Sequence, residues 1–266
     1  MFKLVVLDLD GTLLTSDQKI THQSKQIIRH LVAQGMIIVL ASGRMLSGIR
    51  SVIDELSLKK ENLYAIACNG AQVWCESTQH FITNQILSAD DVRIIRQWGR
   101  INGMACYAQH AGILVVEENQ LIPIKADQYS RLDIHITNDP LYINMPVPKM
   151  MFIDDEVSID SLVQQLPAEI IKRFYCVKSE PNYYEVMVKG INKGEACRTL
   201  ATYLGISSDD VLAIGNELND CEMLRYAGKG IAMGNATASV QRCADDITAS
   251  NDEEGVAKAL IRFCLR

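Results

Sequence analysis

The sequence predicts an α/β protein: a doubly wound, mainly parallel sheet interrupted by an inserted α+β domain. Three observations predict it. Continuous apolar runs at residues 4–7 and 36–41 read as strands buried on both faces. Segments of helical periodicity separate them. The βα rhythm breaks near residue 82 and returns after Gly190.

Residues 1–9 form the first predicted strand. Thr21 is a helix N-cap candidate, and Ile27, Ile28, Leu31 and Val32 mark the apolar face of a helix that Gly35 closes. A second strand spans 36–41 and ends in Ser42-Gly43-Arg44. A helix follows over 45–56, then a strand over 64–68. Asn69-Gly70 signals a hairpin into a further strand over 71–75. Ser88 to Asp91 is a capping box opening a helix to residue 101. Short strands are predicted at 104–108, 113–116, 149–153, 170–177 and 183–187, with a helix at 159–166. Four of the six prolines lie between Pro123 and Pro148, making that span the irregular part of the insert. The core resumes with a helix at 193–204, with Cys197, Leu200 and Ala201 inward. Strands follow at 211–214, 230–233 and 246–248, and helices at 221–226, 236–244 and 253–263. The predicted domains are a discontinuous core, 1–82 and 188–266, and an insert, 83–187.

The 266 residues are 48% apolar and 22% charged, as in soluble globular proteins. The net charge of −6 argues against a nucleic-acid partner. No apolar run reaches the ~18 residues of a membrane span, and the first apolar run, broken by Asp8, is too short for a signal peptide. None of the eight cysteines forms a Cys-x-x-Cys pair, and Cys68, Cys197 and Cys221 sit in apolar or helical settings. The expectation is reduced, mostly buried thiols in a cytoplasmic protein, without a disulfide framework. The five histidines show no metal spacing. Asp90-Asp91 and Asp154-Asp155-Glu156 read as helix starts, and Trp74 and Trp98 as packing residues.

Polar groups stand at the carboxyl ends of the predicted strands: Asp8 and Asp10, Ser42-Gly43, and the turn from Gly215 to Asp220. Lys193 stands at a helix start. In a parallel sheet these ends share one edge, where open α/β sheets bind their ligands. The set suits phosphoryl transfer. One carboxylate attacks phosphorus, a second acid moves the proton, and a hydroxyl with backbone N–H groups holds the phosphoryl oxygens. A lysine and a magnesium ion offset the gathered negative charge.

Asp8-Leu9-Asp10-Gly11-Thr12, Ser42-Gly43-Arg44, Asn69-Gly70, Lys193-Gly194 and the run from Gly215 to Asp220 together resemble the haloacid dehalogenase-like phosphatases. In order and spacing they are similar to the Cof-type branch, as are residues 232–236 and 250–256. The insert matches in length and texture alone. The resemblance implies a Rossmann-like core with a mobile cap that covers the site and selects the substrate. It implies Asp8 as nucleophile and magnesium ligand, and Asp10 as general acid/base that offers magnesium its carbonyl. Thr12 would brace the loop. Leu9, Ser42, Gly43, Lys193 and Asn219 would bind phosphate, and Lys193 would also orient Asp8. Arg44, Asn69 and Gly70 would line the substrate floor. Asp220 would hold Lys193 or the metal shell.

One position departs from the family pattern: Asn216 stands where an aspartate ligand to magnesium is usual, so magnesium binding is expected to be weaker, with Asp220 or Glu217 as compensating groups. The implied activity is magnesium-dependent hydrolysis of small phosphomonoesters through an aspartyl phosphate. Sugar phosphates are the first class, then pyridoxal phosphate and flavin mononucleotide. Two alternatives stand beside it: a phosphosugar mutase, and a catalytically weakened phosphate-ester-binding or regulatory protein. The expected partner is a small phosphorylated metabolite, with no nucleic acid or membrane, and the expected assembly is a monomer or small homo-oligomer.

Overall fold

β1 (Leu4–Asp8) is buried along its whole length, as a central strand covered on both faces must be. In this computed structural model, which describes residues 2–58, 62–110, 113–117 and 133–265, the chain continues through α1 (His22–Ala33), β2 (Ile37–Ala41), α2 (Leu46–Leu56) and β3 (Leu63–Ala67). Thr21 caps α1 by accepting from the Ser24 N–H, and Ile28, Leu31 and Val32 are its buried apolar residues. β4 (Gln72–Cys75) returns antiparallel to β3, and β5 (His80–Asn84) extends the sheet. The sequence reading has no strand at β5. It is an edge strand with His80, Phe81 and Asn84 exposed, so it carries no buried alternation to read.

The chain divides into two units, residues Met1–Thr83 with Asn192–Arg266, and residues Asn84–Ile191. The second unit contains α3 (Ala89–Ile101), β6 (Cys106–His110), β7 (Ile113–Val116), β8 (Asp133–Ile136), α4 (Pro140–Ile143), β9 (Lys149–Ile153), α5 (Glu156–Gln164), α6 (Ala168–Arg173), β10 (Phe174–Glu180) and β11 (Tyr183–Val188). Among the described residues its strands form one sheet in the order β10-β11-β9-β6-β7-β8, antiparallel except for β7 with β8. Ser88 and Asp91 close a reciprocal capping box on α3, and Trp98 packs edge-on against Phe152. Lys149 and Glu185 form a buried ion pair at 2.6 Å between neighbouring strands.

Two expectations for this unit are corrected. Residues 170–173, read as strand, close the helix Ala168–Arg173: Ile170 is its buried residue while Ile171 is 48% exposed, and six residues are too short a run to show a helical period. The span read as irregular holds α4, capped by Asp139, and β8; its part from 123 to 132 lies outside the described residues.

The core then resumes with α7 (Lys193–Tyr203), β12 (Val211–Gly215), α8 (Cys221–Tyr226), β13 (Lys229–Ala232), α9 (Ala238–Gln241), β14 (Asp246–Ile247) and α10 (Gly255–Cys264). The described strands of this unit form one sheet, β14-β13-β12-β1-β2-β3-β4-β5. β1 lies parallel to both β2 and β12. The winding direction therefore reverses between β1 and β12, and that reversal opens a crevice at their carboxyl ends. No helix among the described residues is long and apolar enough to cross a membrane.

The expectation of reduced thiols is corrected at one pair of cysteines. Cys221 and Cys243 are disulfide-bonded, while Cys68, Cys75, Cys106, Cys176, Cys197 and Cys264 carry no disulfide. The pair is joined because the chain runs from α8 through β13 and back past α9. A separation of 22 residues carries no local signature of that return.

Candidate active site

The switch point carries the polar groups. β1 ends in Asp8, its neighbour in register, Ala41 of β2, is followed by Ser42, and β12 ends at Gly215 before Asn216. After Asp8 the chain curls back, with the Leu13 N–H donating to the Asp8 carbonyl and the Leu14 N–H to the Leu9 carbonyl, so that Leu9 is buried. Two asparagines that the sequence reading left without a role steady this loop. Asn235 Nδ2 donates to the Gly11 carbonyl (2.9 Å), and Asn251 Nδ2 to the Leu14 carbonyl (3.0 Å).

Lys193, at the start of α7, is 1% exposed and reaches two carboxylates. Its Nζ lies 2.7 Å from Asp8 Oδ1 and 2.6 Å from Asp220 Oδ1. Asp220 Oδ2 accepts from the N–H groups of Asn216 (2.9 Å) and Glu217 (3.0 Å), which folds the 216–220 turn around it. Both Asp220 oxygens are thus taken up by the protein, and the residue anchors Lys193 from behind Asp8.

Burial, and then the Asp220 carboxylate, push the Asp8 carboxyl up to about 7, against the pull of the Lys193 ammonium. Burial works to lower the Lys193 pKa, but Asp220 and Asp8 outweigh it and hold it above the ordinary lysine range. Lys193 is therefore a fixed cation. Glu217, largely by burial, is also raised.

Asn216 faces the other side of Asp8. In the amide orientation that satisfies its surroundings, its nitrogen donates to Asp8 Oδ2 (3.1 Å), the Asp10 carbonyl (2.9 Å) and Thr12 Oγ1 (2.8 Å). The reverse orientation sets oxygen against the first two. The close approach depends on Gly11, at φ +73°, where a Cβ would stand 2.5 Å from the Asn216 side-chain amide. The oxygens that converge here are hard donors of the kind magnesium takes. The residues fit such an ion once the Asn216 amide turns its oxygen inward.

Asp10 points elsewhere. Arg44 grips its carboxylate in a two-pronged ion pair, with Nε 2.8 Å from Oδ2, and also binds Gln18 Oε1 at 2.6 Å. Gln18 was not singled out in the sequence; nothing local marks a loop glutamine that meets an arginine 26 positions away. Ser42 is buried, and its Oγ accepts from the Arg44 N–H (3.1 Å). Gly43 lies against the Asn69 side chain. Cys68, Asn69 and Gly70 all take positive φ, which turns β3 into β4 and brings Asn69 beneath the site. Asn219 Nδ2 donates to Asn69 Oδ1 (2.9 Å), and Asn219 Oδ1 is buried without a partner among the described residues. The structure thus gathers Asp8, Asp10, Thr12, Lys193, Asn216 and Asp220 around β1, and joins Ser42, Gly43, Asn69 and Asn219 beside them.

Comparison with known proteins agrees with this geometry. The family model for haloacid dehalogenase-like hydrolases matches residues 5–260. YxeH of Bacillus subtilis (strain 168), which carries a provisional phosphatase name, is 31% identical over 273 residues, spanning 100% of this chain and 99% of that protein. The 5-amino-6-(5-phospho-D-ribitylamino)uracil phosphatase YcsE of the same organism is 30% identical over 266 residues, spanning 99% and 96%. Among solved structures, a haloacid dehalogenase-like hydrolase from Bacteroides thetaiotaomicron superposes with a TM-score of 0.87 at 31% identity, covering 98% of this chain and 99% of that one. With an α/β core that carries its polar residues at one switch point, this chain belongs to the haloacid dehalogenase-like hydrolase family, as one of its phosphatases.

Proposed function

We propose that the protein is a magnesium-dependent phosphomonoesterase that works through an aspartyl phosphate on Asp8, with phosphate esters of sugars or sugar alcohols as its substrate class. The observation that carries this reading is the buried Asp8–Lys193–Asp220 line at the switch point. Lys193 holds one Asp8 oxygen still and offsets charge, so the other is presented for attack. Asp10, released from Arg44, gives its proton to the leaving oxygen and then takes one from the attacking water. Ser42, Gly43 and the Leu9 N–H hold the phosphoryl oxygens, with Asn219 beside them, and Thr12 braces the loop. Arg44, Asn69 and Gly70 line the floor. Asp8, the Asp10 carbonyl and Asn216 would hold magnesium, which when bound lowers the repulsion between phosphate and carboxylate.

A polyol phosphate fits the relative YcsE, whose named substrate carries its phosphate on a ribityl chain. Pyridoxal phosphate and flavin mononucleotide share the primary ester. A cytoplasmic setting goes with such substrates. Asn216 favours a second reading, a weakened enzyme that binds phosphate esters with little turnover. The test is a panel of phosphorylated metabolites across a magnesium titration, with Asp8→Asn as blank. Phosphate release that depends on both magnesium and Asp8 is expected. Release surviving in the blank sinks the mechanism, and ester binding without turnover at any magnesium level selects the second reading.

A further inference from the structure

We propose that Cys221 and Cys243 are a reversible thiol–disulfide site, oxidised by a low-molecular-weight disulfide and coupled to the catalytic centre through Asp220. Their Cα atoms are 5.4 Å apart, within the span a disulfide bridges. The other six cysteines form no disulfide, and five of them are buried, so the fold singles out one pair.

The surroundings favour exchange. Arg225, one turn along α8 from Cys221, places Nη2 3.1 Å from Cys243 Sγ. A cation beside sulfur favours the thiolate, which is both the nucleophile and the better leaving group. Cys243 is partly open to solvent, whereas Cys221 is 6% exposed. Cys243 is therefore the sulfur that meets the oxidant, and Cys221 resolves it. The Cys243 thiolate attacks one sulfur of R–S–S–R, breaking that bond and releasing RS⁻. The Cys221 thiolate then attacks Cys243 Sγ in the mixed disulfide and releases the second RS⁻. Two protein thiols lose two protons and two electrons, and the small disulfide becomes two thiols.

The bond is wired to the site on two sides. Cys221 directly follows Asp220, whose Oδ1 holds Lys193. The start of α8 also presses on the start of α7: a Cβ on Gly194 would stand 2.6 Å from the Glu222 carbonyl. A shift of α8 therefore moves the anchor of Lys193 and its own helix together. Cys243 closes the segment that begins with Asn235, the residue that steadies the Gly11 carbonyl. The disulfide ties the element behind Lys193 to the element behind the Asp8 loop. In the bonded state Lys193 is seated on both carboxylates, so oxidation is the competent state and reduction the slack one.

The effect on turnover rests on the phosphatase reading above; the thiol chemistry does not. The test equilibrates the full chain in glutathione buffers from reduced to oxidised, alkylates the thiols, and counts them by denaturing mass spectrometry. Turnover with magnesium and amide exchange over residues 216–226 are read in parallel. Six thiols are expected in the oxidised protein and eight in the reduced one, with the difference mapped to Cys221 and Cys243. Reduction is expected to lower kcat roughly three- to tenfold with little change in KM, and to speed exchange over 216–226. Cys243→Ser and Cys221→Ser should each sit at the reduced rate in every buffer. Eight thiols throughout, or a bond between other cysteines, overturns the site. The right bond with equal turnover and equal exchange in both states overturns the coupling. If no phosphatase activity is found in any state, the phosphatase reading fails while the thiol count and the exchange still decide the inference.

Discussion

Lys193 Nζ lies 2.7 Å from Asp8 Oδ1, with both side chains buried. Removing one member of such a pair leaves charge in a place where water cannot reach it. Lys193→Met is expected to lower kcat by at least about 10²-fold and to cost roughly 3–5 kcal/mol of stability. Adding Asp220→Asn, which removes the second stranded charge, should recover part of the stability and none of the rate. Denaturant melts alongside phosphate-release assays separate the two effects. Recovery of rate in the double variant would refute the role of Lys193 at Asp8.

Asn216 gives an opposite pair of outcomes. Its amide donates to Asp8 Oδ2 and the Asp10 carbonyl, which a carboxylate cannot do. Asn216→Asp should therefore lower the melting temperature of the metal-free protein through repulsion of Asp8. It should also enlarge the rise in melting temperature caused by magnesium and increase turnover at low magnesium. If magnesium shifts both proteins equally and the rate is flat, Asn216 does not face the cation.

In the second unit, Lys149 and Glu185 pair at 2.6 Å with almost no exposure. Glu185→Leu alone is expected to cost roughly 3–5 kcal/mol, because the buried ammonium loses this carboxylate 2.6 Å away. Lys149→Met with Glu185→Leu replaces the pair by apolar volume and should regain most of that loss. Urea melts of Glu185→Leu, Lys149→Met and the double variant test this, and additive losses would be the contrary result.

Asp91 supplies a pH signature. Burial opposes its ionisation, but Ser88 and the Arg173 guanidinium outweigh burial and hold its carboxyl below the usual range. A folded pKa below the unfolded one means stability that is present above the unfolded value and lost as pH falls through the folded value. Asp91→Asn should thus cost about 1 kcal/mol near neutral pH, and the gap should close as the pH falls below the ordinary aspartate range. A gap that stays constant with pH would place the loss outside the carboxylate's charge.

Much of the core was legible because its strands are buried on both faces. Residues 4–7, 37–41 and 211–214 are unbroken apolar runs, and caps such as Thr21 and Ser88 announce their helices. β5 and α6 were not legible, since an exposed edge strand and a six-residue helix bury too little to set a period. At the site, strand ends foretell which residues gather but not whom they bind. The grip of Arg44 on Asp10, the turn of Asn219 toward Asn69, and the meeting of Cys221 with Cys243 depend on side-chain directions that only the assembled sheet determines.

The insert also sets a timetable. Asp8 and Lys193 are 185 residues apart, and β1 finds β12 only after the whole second unit has been made. While the chain is being synthesised, β1 therefore keeps one edge bare, and Asp8 has neither its cation nor the 216–220 turn. Domains fold as units as they emerge, so residues Asn84–Ile191 can be complete while Asp8 still lacks both. On the proposed mechanism the ribosome-bound chain gains hydrolytic power only once residue 220 is in place, and a product truncated before that point is expected to be inert toward phosphate esters.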